Sequence, residues 1–250
     1  VVHSALSGIT DRLEQLLARA LTGDWEPVME QIERRHCDLS RDLGIPISPE
    51  LEHHFAELRK MASGIHLIGE VSDRLRARVM STGELMATRI GAAYLASEGL
   101  DVQWIDARTI LHAEERPGAT ARANYLSATC NFEPDPALQQ RLATGGNVLL
   151  TQGFIASDGN GETVLLGRGG SDTSGSYIAA KLHARRLEIW TDVPGMFTAN
   201  PRQVPNARLL KSLDYDEAQE IASRGAKVLH PRCILPVKQY SIPLTVHDTQ

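Results

Sequence analysis

A short apolar run, Val164-Leu165-Leu166, leads straight into Gly167-Arg-Gly-Gly-Ser-Asp-Thr-Ser-Gly175, after which Tyr177, Ile178, Ala179, Ala180 and Leu182 supply the apolar face of a helix. A strand handing over to a helix through a tight glycine turn belongs to layered α/β proteins, and it constrains the chain more than any other segment. Glycine lets a ligand approach the main chain closely, and N–H groups left free at a helix start can hold phosphate or carboxylate. Arg168 and Asp172 add a fixed positive charge and a carboxylate to the same turn. The Gly-Lys-Ser/Thr ending of a P-loop is missing, so the segment reads either as another kind of anion-handling loop or as a plain glycine turn.

The remaining chain alternates in the same way. Residues 1–8 read as the end of a buried strand entering a Ser/Gly turn, with no initiator methionine, which suggests that the natural N-terminus lies upstream. Leu13, Leu16, Leu17 and Ala20 then recur at helical spacing up to Gly23. Helices are expected over residues 27–43 and 49–62, with mixed faces suited to covering a sheet, and over 72–79 and 83–95, with a break at Ser81-Thr82-Gly83. Strands are expected at 102–106, 147–155 and 162–166, the last two joined as a hairpin through Asp158-Gly-Asn-Gly161. A helix over 174–184, a strand over 187–191, helices over 214–223 and 231–240 and a strand over 244–247 complete the series. Strands separated by helices indicate an α/β layer architecture, and the hairpin makes its sheet mixed.

Composition narrows the function classes. A chain of 250 residues with 42% hydrophobic content can close one large core or two modest ones. The formal net charge of -5 is spread along the chain without a basic block interleaved with aromatics, so no nucleic-acid partner is expected. Cys37, Cys130 and Cys233 are odd in number and lack metal-ligand spacing, which suits a reducing, cytoplasmic compartment. No apolar run approaches the roughly 18 to 20 residues of a membrane span, and no membrane association is expected.

Ligands of open α/β sheets gather beyond the carboxyl ends of strands, and four such loops carry unusual glycine and polar content: residues 4–10, Gln152-Gly153, 167–172 and 191–202. In the fourth, Thr191 and Asp192 offer a hydroxyl and a carboxylate beside the apolar wall of Val193, Met196 and Phe197, with Arg202 following; this mixture suits a nucleotide, although Pro194-Gly195 is also an ordinary turn pair. Lys227, in Gly225-Ala-Lys-Val-Leu-His-Pro231, can neutralise a phosphoryl group or simply be a surface lysine. Glu84 lies near an expected helix start, where compensation of the helix dipole would also account for it. His36, His53, His54 and His66 lack the companions of a zinc site, and a metal ligand set is not identified.

Six ordered segments turn these loops into a specific likeness: Ser4-Ala-Leu-Ser-Gly-Ile-Thr10, Ser81-Thr-Gly-Glu-Leu-Met86, Thr151-Gln-Gly-Phe154, Leu166-Gly-Arg-Gly-Gly-Ser-Asp172, Glu188-Ile-Trp-Thr-Asp-Val-Pro-Gly195 and Gly225-Ala-Lys-Val-Leu-His-Pro231. Together they resemble the catalytic domain of an aspartokinase, within the amino-acid kinase family. The resemblance implies a three-layer αβα sandwich with a mainly parallel mixed central sheet, the carbamate kinase-like fold. Residues 1–250 would form one catalytic domain incomplete at its N-terminus, with an amino-acid-binding lobe over about 1–150 and a nucleotide-binding lobe over about 151–250.

The same resemblance implies transfer of the γ-phosphoryl group of ATP, with Mg2+, to the side-chain carboxylate of L-aspartate. Thr10, Glu84, Phe154, Arg168 and Ser171 would form the amino-acid site, with Arg168 clamping a substrate carboxylate and Glu84 recognising the amino group. Thr191, Asp192, Phe197, Arg202, Lys227 and Val228 match the nucleotide side, and Asp172 and Lys227 the catalytic centre. Aspartokinases begin with a Lys-Phe-Gly-Gly-Thr-Ser strand and loop whose lysine contacts the transferring phosphate; this chain starts at the following strand, so weak or absent activity of the piece is expected. Thr82 stands where the family often has histidine or serine. A homodimer, and fusion to regulatory ACT domains or to another biosynthetic enzyme, are the implied assemblies. The alternatives are a kinase for another small carboxylate amino acid and a non-catalytic nucleotide or amino-acid sensor.

Overall fold

The computed structural model describes residues 1–199, 204–224 and 229–249. Strand β1 (Val2–His3) enters helix α1 (Ile9–Thr22) through Gly8, and Gly23, in the left-handed conformation with φ 85°, stops that helix by donating its N–H to the Arg19 carbonyl. Ile9, Leu13, Leu16, Leu17 and Ala20 are all buried along one face, as their spacing requires. Helices α2 (Glu26–Asp42) and α3 (Pro49–Ile68) follow, the latter started by Ser48, whose side chain accepts from the Leu51 N–H, with Pro49 behind it. Both pack mainly against helices rather than against a sheet: α2 lies on α1, α3 and α4 (Asp73–Ser97), and α3 on α1 and α4. The apolar stripe of an amphipathic helix does not specify whether its partner is a strand or another helix, which is why the sequence alone misassigned the cover.

Helix α4 runs unbroken through Ser81-Thr82-Gly83. The two hydroxyls fold back onto their own helix, Ser81 Oγ donating to the Arg78 carbonyl at 2.8 Å and Thr82 Oγ1 to the Val79 carbonyl at 2.7 Å. At Gly83 a side-chain methyl would stand only 3.1 Å from Ala5 Cβ and 3.2 Å from Leu13 Cδ1, so the glycine serves close packing of α4 on the β1–α1 segment rather than a break.

Strand β2 (Val102–Ile105) pairs in parallel with β3 (Val148–Gln152), and β3 pairs in parallel with β1, giving the order β1-β3-β2 with Val2 opposite Thr151 and Val102 opposite Val148. Between β2 and β3 lie a 3-10 turn at Ala107–Thr109 and helices α5 (Ala121–Leu126) and α6 (Pro136–Ala143). The strand expected over 147–155 stops at Gln152, because Phe154 takes a left-handed conformation with φ 69° and redirects the chain into β4 (Ile155–Ser157). Strands β4 and β5 (Thr163–Leu165) form the expected antiparallel hairpin.

Helix α7 begins at Gly170, earlier than its apolar face suggests, and extends to Lys181; β6 (Leu187–Thr191) returns and pairs in parallel with β7 (Leu244–Asp248). Helix α8 (Tyr215–Ser223) has a full capping box between Asp214 and Glu217. The stretch expected as one helix over 231–240 is a 3-10 turn at Pro231–Cys233 followed by α9 (Ile234–Gln239). The fold is thus mixed α/β with parallel strands and one antiparallel hairpin, its ladders divided into three hydrogen-bonded pieces among the described residues.

A polar network locks α4 to β3 inside this core. Gln152, fully buried at the end of β3, accepts from the Ala107 N–H at 2.8 Å and donates to Thr88 Oγ1 at 2.9 Å. Thr88 in turn donates to the Glu84 carbonyl and receives Trp104 Nε1 at 3.0 Å. Every member has a partner, so the network fixes the rotation of α4 against the strand instead of leaving an unpaired buried dipole.

Candidate functional site

The carboxyl ends of β1, β3 and β5 and the middle of α4 converge on one cavity of about 300 Å³. Thr10, Glu84, Phe154, Arg168, Ser171 and Asp172 all line it, together with Ser4, Ala5 and the glycines of the 167–170 turn. The five residues that the resemblance assigns to an amino-acid site, from sequence positions as distant as 10 and 171, therefore share one space.

Glycine makes the convergence possible by removing side chains where backbones touch. A methyl added at Gly153 would meet Ser171 Cα at 2.8 Å, and one at Gly170 would meet the Phe154 ring at 2.5 Å. The Phe154 N–H is held by Ser174 Oγ at 2.9 Å, and its carbonyl accepts from the Leu166 N–H at 2.8 Å. Gly167 and Gly169 adopt φ 77° and 65°, a conformation that glycine enters without the penalty a side chain imposes. The start of α7 has no side-chain cap, so the first-turn N–H groups of Gly170, Ser171 and Asp172 have no intrahelical acceptor. A helix start of this kind favours an anion.

Charge is arranged asymmetrically. Glu84 is 4% exposed, and desolvation pushes its carboxyl up to about 8 even though the Ala5 N–H donates to it. Burial also raises the Asp172 carboxyl above the usual carboxylate range. Arg168 is exposed at the cavity mouth. The cavity thus offers a buried acid ready to ionise beside a cation, a guanidinium, a helix start ready for an anion, hydroxyls of Ser4, Thr10 and Ser171, and one aromatic wall. That combination fits a small molecule carrying both an ammonium and carboxylates.

The sign of the Glu84 shift sets a pH dependence. Its native value lies above the ordinary 4.5, so the native state holds this proton more tightly than the unfolded chain, and the stability it confers is complete below about pH 4.5 and lost as pH rises to about 8. Glu84→Gln is expected to remove that part of the decline. Urea unfolding of both proteins at pH 5, 7 and 8.5 measures it, and an unchanged slope in the variant would show that Glu84 is not the group titrating.

The described residues that the resemblance assigns to a nucleotide side lie outside this cavity. Thr191 closes β6, its hydroxyl 3.2 Å from Asp192 Oδ1, and Phe197 forms a bridge with Leu209. Neither Thr191, Asp192 nor Phe197 lines the 300 Å³ cavity. Arg202, Lys227 and Val228 lie outside the described residues. Among the described residues there is no group of three or more His, Cys, Asp or Glu side chains able to hold a metal ion, and no helix is long and apolar enough to cross a membrane. The sequence did not single out Ala5, whose contribution is a backbone N–H to Glu84 and leaves no side-chain signature. The Gln152–Thr88 contact was also missed, although a glutamine ending an apolar strand was the available signal.

The family model of the amino acid kinase family matches residues 1–248, and the chain belongs to that family. It is 34% identical over 259 residues to the lysine-sensitive aspartokinase 3 of Escherichia coli K12, covering 100% of this chain and 55% of that protein. It is also 40% identical over 200 residues to a bifunctional aspartokinase/homoserine dehydrogenase of Buchnera aphidicola, covering 80% of this chain and 24% of that one. The chain spans about half the length of relatives such as the Escherichia coli and Chlamydia pneumoniae aspartokinases, 55% and 53%. Among solved structures, E. coli aspartokinase III in complex with aspartate and ADP, in the R-state, superposes with a TM-score of 0.86 at 33% identity over 99% of this chain and 54% of that chain. The same enzyme with lysine and aspartate, in the T-state, gives a TM-score of 0.76 at 32% identity, with 99% and 55% covered.

Proposed function

We propose that this chain is the catalytic unit of an aspartate kinase, which transfers the γ-phosphoryl group of ATP to the side-chain carboxylate of L-aspartate and forms 4-phospho-L-aspartate. The observation that carries this reading is the meeting of Thr10, Glu84, Phe154, Arg168, Ser171 and Asp172 around one cavity suited to an amino acid with a second carboxylate. Arg168 clamps a substrate carboxylate, Glu84 in its ionised form takes the ammonium, Phe154 walls the pocket, and Thr10 and Ser171 supply hydroxyls. The uncapped start of α7 faces the charge that builds up during transfer, and Asp172 organises the phosphate region. No covalent nucleophile is required, because phosphoryl transfer depends on alignment and charge stabilisation.

The nucleotide side belongs, on this reading, to the second lobe, about 151–250, with Thr191, Asp192, Phe197, Arg202, Lys227 and Val228 as its contacts and Lys227 acting with Asp172 at the phosphates. Connectivity supports this: α7, roughly 18 Å of helix, leads away from the glycine turn, and β6, roughly 16 Å of strand, runs back over a similar length, so the chain returns toward the turn's side at Thr191. Mg2+ would arrive with the ATP phosphates and supply charge neutralisation; a single carboxylate such as Asp172 suits magnesium, which is commonly held by few protein groups and the substrate's own oxygens. The pathway role is the first step toward lysine, threonine and methionine in the cytoplasm. Homodimerisation and attachment to further regulatory or enzymatic domains belong to the same reading.

Titration of aspartate, glutamate and N-acetylglutamate by calorimetry, paired with an ATP-consumption assay over the same acceptors, tests the assignment. Aspartate is expected to give the highest affinity and turnover. Because Glu84 ionises on meeting the ammonium, aspartate binding near pH 7 is expected to release a proton, seen as a heat that changes with the ionisation enthalpy of the buffer. Preference for another acceptor would reject aspartate as substrate; turnover is read on protein extended upstream with a Lys-Phe-Gly-Gly-Thr-Ser strand and loop, where binding without turnover would favour an amino-acid sensor.

A further inference from the structure

We propose that Arg232, together with His230, positions the Gly167–Asp172 turn, so that substrate affinity depends on a side chain that touches neither substrate nor nucleotide. The inference rests on the reading of the cavity as an amino-acid site.

Arg232 leaves the 3-10 turn at Pro231–Cys233 and reaches across to the last residue before the glycine turn. Its Nη1 donates to the Leu166 carbonyl at 2.6 Å, and its Nη2 donates to the Ala128 carbonyl. One residue earlier, Leu165 accepts directly from the Ala128 N–H at 2.8 Å. The guanidinium therefore takes over where main-chain pairing between the two segments stops, with one planar fork spanning two carbonyls. The Tyr177 hydroxyl, on α7, also contacts Arg232. Leu166 is fully buried, and Gly167 is the next residue, so the point at which the chain leaves the strand is fixed by this contact.

His230 meets the same turn from the other side. A methyl at Gly169 would lie 2.3 Å from His230 Cβ and 2.7 Å from Cγ, which means that the His230 side chain packs on the Gly169 backbone in space that only glycine leaves open. The ring is oriented by the Arg232 N–H, which donates to Nδ1 at 3.3 Å. Burial, then the charges of Arg232 and Arg168, hold its pKa below the ordinary histidine value, in keeping with a neutral ring that accepts at Nδ1. Behind it, Ser176 Oγ on α7 donates to the Cys233 carbonyl, so the 3-10 turn is tied to the helix that the glycine turn begins. Leu166, Gly169 and Ser176 are thus gripped by Arg232, His230 and Cys233 respectively, and Arg168 sits between the first two grips.

The experiment uses the full chain with Arg232→Lys, which keeps the charge but loses the planar fork, and with His230→Asn, which keeps an acceptor for the Arg232 N–H but loses the ring above Gly169. Hydrogen exchange, without ligand, of the Ala128, Leu166 and Thr173 amides, which donate to the Leu165, Phe154 and Gly169 carbonyls around the turn, is expected to rise about 10-fold in Arg232→Lys, with distant helices unchanged. Aspartate affinity is expected to fall about 10-fold while ADP affinity stays within about 2-fold, and in an Arg168→Ala background Arg232→Lys is expected to cost little more. His230→Asn, which leaves the Leu166 contact in place, is expected to raise exchange mainly at Thr173, whose N–H donates to the Gly169 carbonyl, and keeps the test open should Arg232→Lys fold poorly. Unchanged exchange in both variants, an equal loss for both ligands, or an aspartate effect that persists in full without Arg168 would overturn the proposal. Arg232-dependent protection in a chain that binds no aspartate would support the positioning role and reject the functional reading, so the two failures are distinguishable.

Discussion

Arg168→Ala is expected to weaken aspartate binding about 100-fold while changing nucleotide affinity by less than about 3-fold, because under the proposed assignment it removes one partner of a charge-assisted pair and leaves the substrate carboxylate without its cation. The side chain is exposed at the cavity mouth and makes no hydrogen bond or ion pair among the described residues, so the fold should tolerate its removal. Arg168→Lys separates charge from geometry. A lysine restores the charge without the bidentate fork and is expected to recover only part of the affinity. Separate titrations of aspartate and ADP against each variant measure the split. Equal losses for the two ligands would place Arg168 at the shared phosphate region instead of at the carboxylate.

The second large effect concerns Gly153. A methyl there would lie 2.8 Å from Ser171 Cα, an atom of the main chain that cannot rotate away. Gly153→Ala must therefore push the end of β3 and the start of α7 apart, at a cost of about 1–3 kcal/mol by analogy with overpacked interiors. Both faces of the opening gap carry site residues: Phe154 follows Gly153, and Ser171 is the group displaced. Stability and aspartate affinity should consequently fall together, whereas Arg168→Ala should lower affinity alone. Denaturant unfolding alongside ligand titration distinguishes the two patterns, and full stability in Gly153→Ala would mean that the contact relaxes without consequence.

The two predictions differ in how plainly the sequence announced them. Arg168 stands in a glycine turn between a strand and a helix, and that local pattern survives into the structure, as do the hairpin at Asp158–Gly161 and strand β6. Gly153 was legible as the end of a strand, yet nothing local says that it abuts Ser171, eighteen positions later. The same limit explains the misread break at Ser81-Thr82-Gly83. Hydroxyls and glycine favour a turn when water is the alternative partner, but Thr82 bonds back to Val79 and Gly83 makes room for Ala5 and Leu13, so tertiary packing decided in favour of helix. The early start of α7 was hidden for a related reason. Gly170, Ser171 and Asp172 have loop composition, and their helical conformation is imposed by the contacts of the glycine turn with Phe154 and His230.

The continuity of α4 has a mechanical consequence. Its 25 residues form a rod roughly 37 Å long, and Glu84 lies near its midpoint, with no hinge on either side to absorb a displacement. The Thr88–Gln152 bond resists rotation of the rod only within the ordinary reach of a hydrogen bond. A torque or push delivered far away, at Asp73 or Ser97, would therefore reach the carboxylate almost undiminished, and a slip of one residue would swing it by roughly 100° around the axis. The cavity is consequently sensitive to whatever grips the tips of this helix, roughly seven turns apart.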